Sequence, residues 1–191
     1  LITTKELQNR GRLSKSKCVF HTIAEPQLDY EIYLDAVTKG IAENEFLHNK
    51  VIEITSSLNG RTLILVERIA HGDKLKEMIP NALWVQGKDD DEARKSVIEK
   101  LQKSKKCIAI ATQGIFNTGI NVFVHNLVNA AGGQADHLII QRMGRGLRTA
   151  KDKEGLNYHD FLFENNQYLH KHSLKRIKIL KEQGHEVDVL K

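Results

Sequence analysis

Residues 107–121 read "CIAIATQGIFNTGIN", and this stretch decides the fold assignment because it joins a buried-strand pattern to a polar loop. Its first five residues are apolar, too few for a core helix and rich in strand formers, so they predict a β-strand. The loop that follows contains Gly114, Gly119, two threonines and two asparagines. Such a loop can approach a phosphate closely and hydrogen-bond phosphate or sugar, although an ordinary strand-to-helix connection has a similar composition.

The rest of the chain continues this alternation of strand and helix patterns. Short apolar runs predict strands, and apolar residues spaced three or four apart predict helices. This order of elements is typical of βαβ units, so we expect an α/β fold, a mostly parallel sheet with helices on both faces and a C-terminal helix. The predicted strands are 62–66, 107–111, 126–131 and 158–163, and the predicted helices lie within 44–58, 89–104 and 166–184.

Composition excludes several classes of protein. The 191 residues are 40% hydrophobic, enough for a full core, and no apolar run is long enough to span a bilayer. Two cysteines cannot form a disulfide framework, which indicates a reduced intracellular protein. The net charge of +5 favours anionic partners only weakly. His170 and His172 are two residues apart, which points their rings away from each other on a helix, so we expect no metal site there.

Residues 141–151, "QRMGRGLRTAK", form a basic stretch that we call the arginine segment. Arg142, Arg145 and Arg148 are spaced three apart, and no Asp or Glu occurs from 137 through 151. The compensating negative charge must therefore come from outside this stretch. A solvated basic helix face is the alternative interpretation.

The polar loop and the arginine segment together resemble motifs V and VI of superfamily-two helicases and translocases. In that family, motif VI reads Gln/His-Arg-x-Gly-Arg-x-x-Arg. Residues 62–75, "TLILVERIAHGDKL", look like motif IV of the same family. The resemblance implies a RecA-like fold and is strongest to phage and prokaryotic DNA helicases, which implies the cytoplasm of a bacterial or phage-infected cell. The motif VI match is complete at Gln141, Arg142, Gly144, Arg145 and Arg148.

The chain contains no G-x-x-x-x-G-K-[ST] phosphate loop and no Asp-Glu pair after a strand. In the family those parts belong to the first of two RecA-like domains, which holds most of the ATP and Mg²⁺. The resemblance therefore implies the second domain alone, inactive as an ATPase by itself. We expect an interdomain linker at 1–17, the second RecA-like domain at 18–164 and a C-terminal helix packed on it at 165–191.

The resemblance assigns a catalytic role to three residues of the arginine segment. Arg145 and Arg148 are expected to be arginine fingers that reach the γ-phosphate across the domain cleft. Gln141 would sense the γ-phosphate or position water, and Arg142 would tie the two domains together at the nucleotide.

Four more residues receive binding roles from the same resemblance. Gly119 and Asn121 would face the nucleotide, with Asn121 standing where many relatives have Asp. Thr112 and Gly87 would contact the backbone of the nucleic acid, and such contacts carry no sequence information.

The implied function is the motor half of an ATP-dependent DNA helicase or translocase that acts on single- or double-stranded DNA. RNA is not excluded as the substrate, and no membrane partner is expected. Two alternatives remain open. One is a nucleic-acid-binding or scaffolding module with this fold but without turnover, and the other is the motor part of a restriction enzyme.

Overall fold

The computed structural model describes residues 15–29, 31–116, 123–133 and 155–191. Within these ranges, seven strands form one sheet in which every pairing is parallel. The strands are β1 (Lys15–Ile23), β2 (Arg61–Val66), β3 (Leu83–Val85), β4 (Cys107–Thr112), β5 (Asn126–Asn129), β6 (Gly155–Phe163) and β7 (Val187–Leu190). Their order across the sheet is β3-β4-β2-β5-β6-β1-β7.

Helices connect most of these strands. Three helices begin at residues whose side chains accept hydrogen bonds from free backbone N–H groups of the first turn, namely Asn44, Asp90 and Asn166. The helices are α1 (Tyr33–Val37), which continues into a π-helical turn (Thr38–Ala42), α2 (Glu45–Ser57), α3 (Ile69–Met78), α4 (Asp91–Lys103), α5 (Gln113–Phe116) and α6 (Gln167–Glu182).

The core has two layers, one on each face of the sheet. Successive side chains of a strand point to opposite faces, and in β2 Leu63 and Leu65 join one cluster while Ile64 and Val66 join the other. Leu101 of α4 packs in the first cluster, whereas α2 and α3 contribute to the second. Helices therefore cover both faces, and the expected RecA-like α/β fold is confirmed.

The C-terminal part of the chain packs on the sheet. Leu169, Ile177 and Leu180 of α6 are buried in the two clusters. Gly184 follows the helix with a φ of +84°, a left-handed conformation that suits glycine at a helix end. Strand β7 then pairs with β1, so this part of the chain adds a strand as well as the expected helix.

The expected boundary at residue 18 differs from the structure. Strand β1 begins at Lys15, so the last three residues of the expected linker belong to the sheet. The sequence "KSKCVFHTI" alternates polar and apolar residues only in part, and its strand state depends on pairing with β6, far along the chain. In the described ranges, no helix combines the length and apolarity that a membrane span needs.

Candidate functional site

The carboxyl ends of the strands define where a ligand can bind. Because every strand runs in the same direction, these ends lie at one edge of the sheet, where ligands of open parallel sheets gather. Thr112 is the last residue of β4, and Gly87 follows the end of β3. Val85 pairs with Ala111, so the two residues expected to contact nucleic acid come from neighbouring strands at this edge.

Thr112 is held tightly at its position. It pairs with Val66 of β2 and is only 8% exposed, and α5 begins at the next residue. Only a small part of Thr112 is therefore available to a phosphate in this conformation.

The loop at Gly87 is more open. A Cβ atom at Gly87 would meet nothing within 4 Å, so a ligand can approach this backbone closely. The Gly87 carbonyl accepts a hydrogen bond from the Arg94 guanidinium, which also pairs with Asp91 at 3.3 Å. Arg94 thus fixes the loop from α4, a structural role that the arrangement of charges in the sequence does not reveal.

Six of the expected site residues lie outside the described residues. Among the expected nucleotide contacts these are Gly119 and Asn121, and in the arginine segment they are Gln141, Arg142, Arg145 and Arg148. For these residues the structure describes only the flanking parts of the chain. Both flanks carry specific contacts that sequence reasoning missed.

The flank after the polar loop is fixed by Gln102 of α4. Its amide nitrogen donates to the carbonyl of Phe123 at 3.1 Å, and its amide oxygen accepts from the Phe123 N–H at 3.3 Å. This two-way contact sets where the chain enters β5. An amide side chain near the end of an amphipathic helix gives no sequence signal for such a role.

The flank before the arginine segment is fixed by a buried ion pair between α6 and β6. Arg176 is 1% exposed and Asp160 is 0% exposed, and the guanidinium meets the carboxylate at 2.9 Å. Arg176 also donates to the carbonyl of Gly133, the last residue described before residue 155. An acid inside the apolar run "YHDFLF" and an arginine on the apolar stripe of α6 were the available signals.

Two buried histidines lie near the end of β2. His71 is 1% exposed in α3, and its ring centroid is 5.0 Å from that of His48 in α2. Burial lowers the pKa of His71 to about 3 and also lowers the pKa of His48, so both rings are neutral at physiological pH. His71 is therefore part of the interior and not a surface contact for a ligand.

An open cavity of about 690 Å³ lies beside the carboxyl ends of β1 and β6. Among the described residues, its lining includes the carboxylates of Asp29, Glu31 and Glu164 and no Lys or Arg. This charge disfavours phosphate, so the cavity is a poor candidate for the nucleotide.

In the described part of the chain, no group of three or more His, Cys, Asp or Glu could hold a metal ion.

Comparison with known families identifies the domain. The helicase conserved C-terminal domain family matches residues 44–150, which is more than half of the chain. The chain therefore belongs to this family. The expected resemblance to the second domain of superfamily-two helicases is confirmed.

Among curated proteins, the chain is similar to the ATP-dependent DNA helicase uvsW of Enterobacteria phage T4. The two are 23% identical over 160 residues, and the match covers 77% of this chain and 32% of that relative. The chain thus spans about a third of the length of the relative.

Solved structures show the same fold. The crystal structure of T4 UvsW matches with a TM-score of 0.73 at 20% identity, over 93% of this chain and 42% of that one. A DEAD box protein from Methanococcus jannaschii matches with a TM-score of 0.62 at 14% identity, over 97% and 43% of the two chains. The DEAD-box protein SrmB of E. coli matches with a TM-score of 0.67 at 12% identity, over 93% and 92%.

Proposed function

We propose that this domain is the second motor half of an ATP-dependent DNA helicase or translocase. The observation that carries the proposal is the complete Gln-Arg-x-Gly-Arg-x-x-Arg motif at 141–148 in a chain of the helicase C-terminal family. The preference for DNA over RNA rests on the relative from phage T4, which is a DNA helicase.

In this proposal the arginine segment acts on ATP that a partner domain holds. Phosphoryl transfer depends on positioning and charge stabilisation, and an arginine supplied from across a cleft stabilises the charge that develops on the γ-phosphate. Arg145 and Arg148 would supply this charge. Arginine suits the role because its planar fork donates two parallel hydrogen bonds and keeps its proton. Gln141 would orient water or sense the γ-phosphate, and Arg142 would join the two domains.

We assign the phosphate loop and Mg²⁺ to the partner RecA-like domain because this sequence has no phosphate-loop motif. Gly119 and Asn121 would line the nucleotide on this side of the cleft. The isolated chain would then bind and hydrolyse ATP too poorly to turn over. The partner contributes the cradle for the β-phosphate, and this domain contributes the fingers.

The proposed nucleic-acid contacts lie at the carboxyl ends of β3 and β4. The Gly87 backbone is sterically free to approach a phosphate, and Thr112 ends the neighbouring strand. Contacts of this kind read the backbone and not the bases, as a motor that moves along any sequence requires. Closure of the two domains on ATP and their opening after hydrolysis would move one set of contacts relative to the other.

The test uses a two-domain protein that joins this domain to its phosphate-loop partner. We expect Arg145→Ala and Arg148→Ala each to lower nucleic-acid-stimulated ATP turnover by about 10³-fold or more while ATP binding stays largely intact. Lys178→Ala is the control, because Lys178 is an exposed cation on α6. Near-normal turnover in both finger variants would contradict the proposal and favour a binding module without turnover.

A further inference from the structure

The Arg176 guanidinium makes four hydrogen bonds of 3.0 Å or less, three to buried groups and one to the partly buried Gly133. Its Nε and Nη2 atoms donate to the two carboxylate oxygens of Asp160 at 3.0 and 2.9 Å. Nη2 also donates to the carbonyl of Phe161 at 2.9 Å, and Nη1 donates to the carbonyl of Gly133 at 2.8 Å. A planar fork with five donors is needed to satisfy this set of acceptors.

These acceptors stand on both sides of the arginine segment in the sequence. Gly133 precedes the arginine segment in the sequence, whereas Asp160 and Phe161 follow it in β6, which begins at Gly155. The carboxylate of Asp160 reaches back as well, because it accepts a 2.9 Å hydrogen bond from the amide of Asn129 at the end of β5. Arg176 therefore connects the two stretches that flank the arginine segment in the sequence, because it binds Asp160 after the segment and Gly133 before it.

The turn at Gly133 is restricted from a second side. Gly132 and Gly133 have φ angles of +64° and +81°, which other L-residues rarely adopt. A Cβ atom at Gly132 would lie 2.6 Å from Cδ1 of Ile41, so the π-helical turn packs directly against this backbone. The chain leaving β5 is thus restrained at two adjacent residues, by Ile41 at Gly132 and by Arg176 at Gly133.

The chemistry of the pair points to a geometric role. Replacing a buried ion pair by well-packed apolar residues is often neutral or stabilising, so stability alone does not explain a charged pair in this core. The pair instead has directional hydrogen bonds, which fix the positions of Gly133, β5 and β6 relative to one another. We propose that Arg176, oriented by Asp160, is a positioning residue for the catalytic arginines. This inference rests on the proposed function of the arginine segment.

The size of the expected effect follows from the demands of phosphoryl transfer. A finger contributes only when it reaches the developing charge, and a misplacement of about 1 Å can cost about 100-fold in rate. A loosened anchor should therefore lower kcat. It should leave the KM for ATP nearly unchanged, because in the proposed arrangement the partner domain holds most of the nucleotide.

The experiment compares two arginine-to-lysine changes in the two-domain protein. Arg176→Lys keeps the charge beside Asp160 but removes the planar fork that also reaches Gly133. Arg61→Lys is the matched control, because Arg61 is 7% exposed and donates to the carbonyl of Gln102 at 3.1 Å, at the amino-terminal end of β2. We expect Arg176→Lys to lower kcat by about 10- to 100-fold with a KM within about threefold, and Arg61→Lys to keep kcat.

A second measurement does not depend on turnover. Amide hydrogen exchange at 130–133 should accelerate in Arg176→Lys and stay unchanged in Arg61→Lys. If Arg176→Lys does not fold, Asn129→Ala replaces it, since this change removes one link from β5 to Asp160 and leaves the ion pair in place.

The outcomes separate this inference from the function on which it rests. Loss of turnover in Arg145→Ala with normal kcat in Arg176→Lys overturns the positioning role and leaves the proposed function standing. Where the lysine variant fails to fold, Asn129→Ala overturns the role in either of two ways: exchange at 130–133 stays unchanged, or exchange accelerates while kcat stays normal. Normal turnover in Arg145→Ala overturns the proposed function itself. Equal losses of kcat in Arg176→Lys and Arg61→Lys would also overturn the inference, because they would trace to general destabilisation.

Discussion

The imidazole of His71 lies against that of His48, with the ring centroids 5.0 Å apart and inclined by 35°. Both rings are almost fully buried, and Nε2 of His71 and Nδ1 of His48 have no hydrogen-bond partner in the described structure. The other nitrogen of His48 contacts the carbonyl of Ala42 at 3.2 Å. Protonation of either ring would bury a charge. Lys74 lowers the pKa of His48 and Glu45 raises it, so these two charged groups act in opposite directions.

This pair predicts that the domain loses stability in mild acid. Burial lowers the pKa of His71 to about 3 in the folded state, whereas an unfolded histidine titrates near 6.5. Between these values the unfolded chain takes up a proton that the folded chain refuses, so stability falls as pH falls from about 6.5 toward 3. For His71 alone, we expect a loss of about 2 kcal/mol between pH 7.5 and 5.

The measurement is urea unfolding at several pH values. His71→Phe should reduce the dependence of the unfolding free energy on pH below 6.5, while Lys178→Gln, an exposed change of charge, should leave it unchanged. An identical pH dependence in His71→Phe and the unaltered chain would contradict the neutral buried state.

A second prediction concerns the packing of α6. Leu180 is 1% exposed, whereas Leu174, six residues earlier on the same helix, is 48% exposed. Leu180→Ala should lower the unfolding free energy by about 2–5 kcal/mol, because it leaves a cavity in the core. Leu174→Ala should change it by about 0.5 kcal/mol or less. Equal effects of the two changes in thermal or urea unfolding would show that α6 is not packed as described.

A third prediction separates two glycines. In α3, a Cβ atom at Gly72 would lie 2.1 Å from Cη2 of Trp84, whose ring packs on the core and whose Nε1 donates to Asp73 at 2.9 Å. Gly72→Ala should therefore cost about 1–3 kcal/mol of stability from overpacking. At Gly87 a Cβ atom meets nothing, so Gly87→Ala should leave the melting temperature unchanged.

Gly87→Ala also tests the proposed contact between the Gly87 backbone and nucleic acid. If a phosphate approaches the Gly87 backbone, the added methyl group of Gly87→Ala should weaken single-strand binding by the two-domain protein without affecting its stability. Fluorescence anisotropy with a labelled oligonucleotide measures this. Unchanged affinity in Gly87→Ala would remove Gly87 from the interface.

A fourth prediction concerns the isolated chain and nucleic acid. Half of a binding channel supplies few phosphate contacts, so binding should be independent of sequence and weak, with a Kd around 10⁻⁴ M or weaker near physiological salt. Affinity should fall steeply as salt is raised, because binding releases counterions. Tight binding to one particular sequence at that salt, in a titration against unrelated oligonucleotides, would contradict the proposed mode of recognition.

A fifth prediction concerns ATP turnover by the isolated chain. We expect no hydrolysis above background, since the sequence has no phosphate loop to hold the β-phosphate. The double change Arg145→Ala and Arg148→Ala is the control, because any contaminating activity will be unaffected by it. Hydrolysis that persists through purification and disappears in the double variant would show that the chain does not need a partner domain.

Local pattern predicted the main part of the fold. The apolar runs of β2 and β4 are largely buried, and the strands predicted from them agree with the observed strands to within one residue at each end. Strands β1, β3 and β7 were missed. Strand β1 alternates only in part, strands β3 and β7 are only three and four residues long, and pairing within the sheet makes all three of them strands. Propensity acts over a few residues, whereas such pairing depends on the whole sheet.

The candidate site was predictable to a different degree. The family resemblance assigned nucleic-acid contacts to Gly87 and Thr112, which stays a prediction, and the structure places both residues at the carboxyl ends of neighbouring strands. Spacing could not show that Arg94 supports the loop at Gly87 or that Arg176 reaches Gly133, because both contacts join elements far apart in the chain or depend on helix orientation. Supporting residues of this kind are defined by three-dimensional neighbours and have no local signature.

The position of β1 has a consequence for synthesis on the ribosome. Strand β1 is the first of the described strands to be synthesised, and it stays unpaired until its partners β6 and β7 have been made. At a typical translation rate, that delay is on the order of ten seconds. During this delay Val19 and Phe20, which are buried in the folded domain, are exposed and can bind chaperones or associate with other unfolded chains. Synthesis of β6 and β7 therefore ends the period in which the nascent domain is most exposed to aggregation.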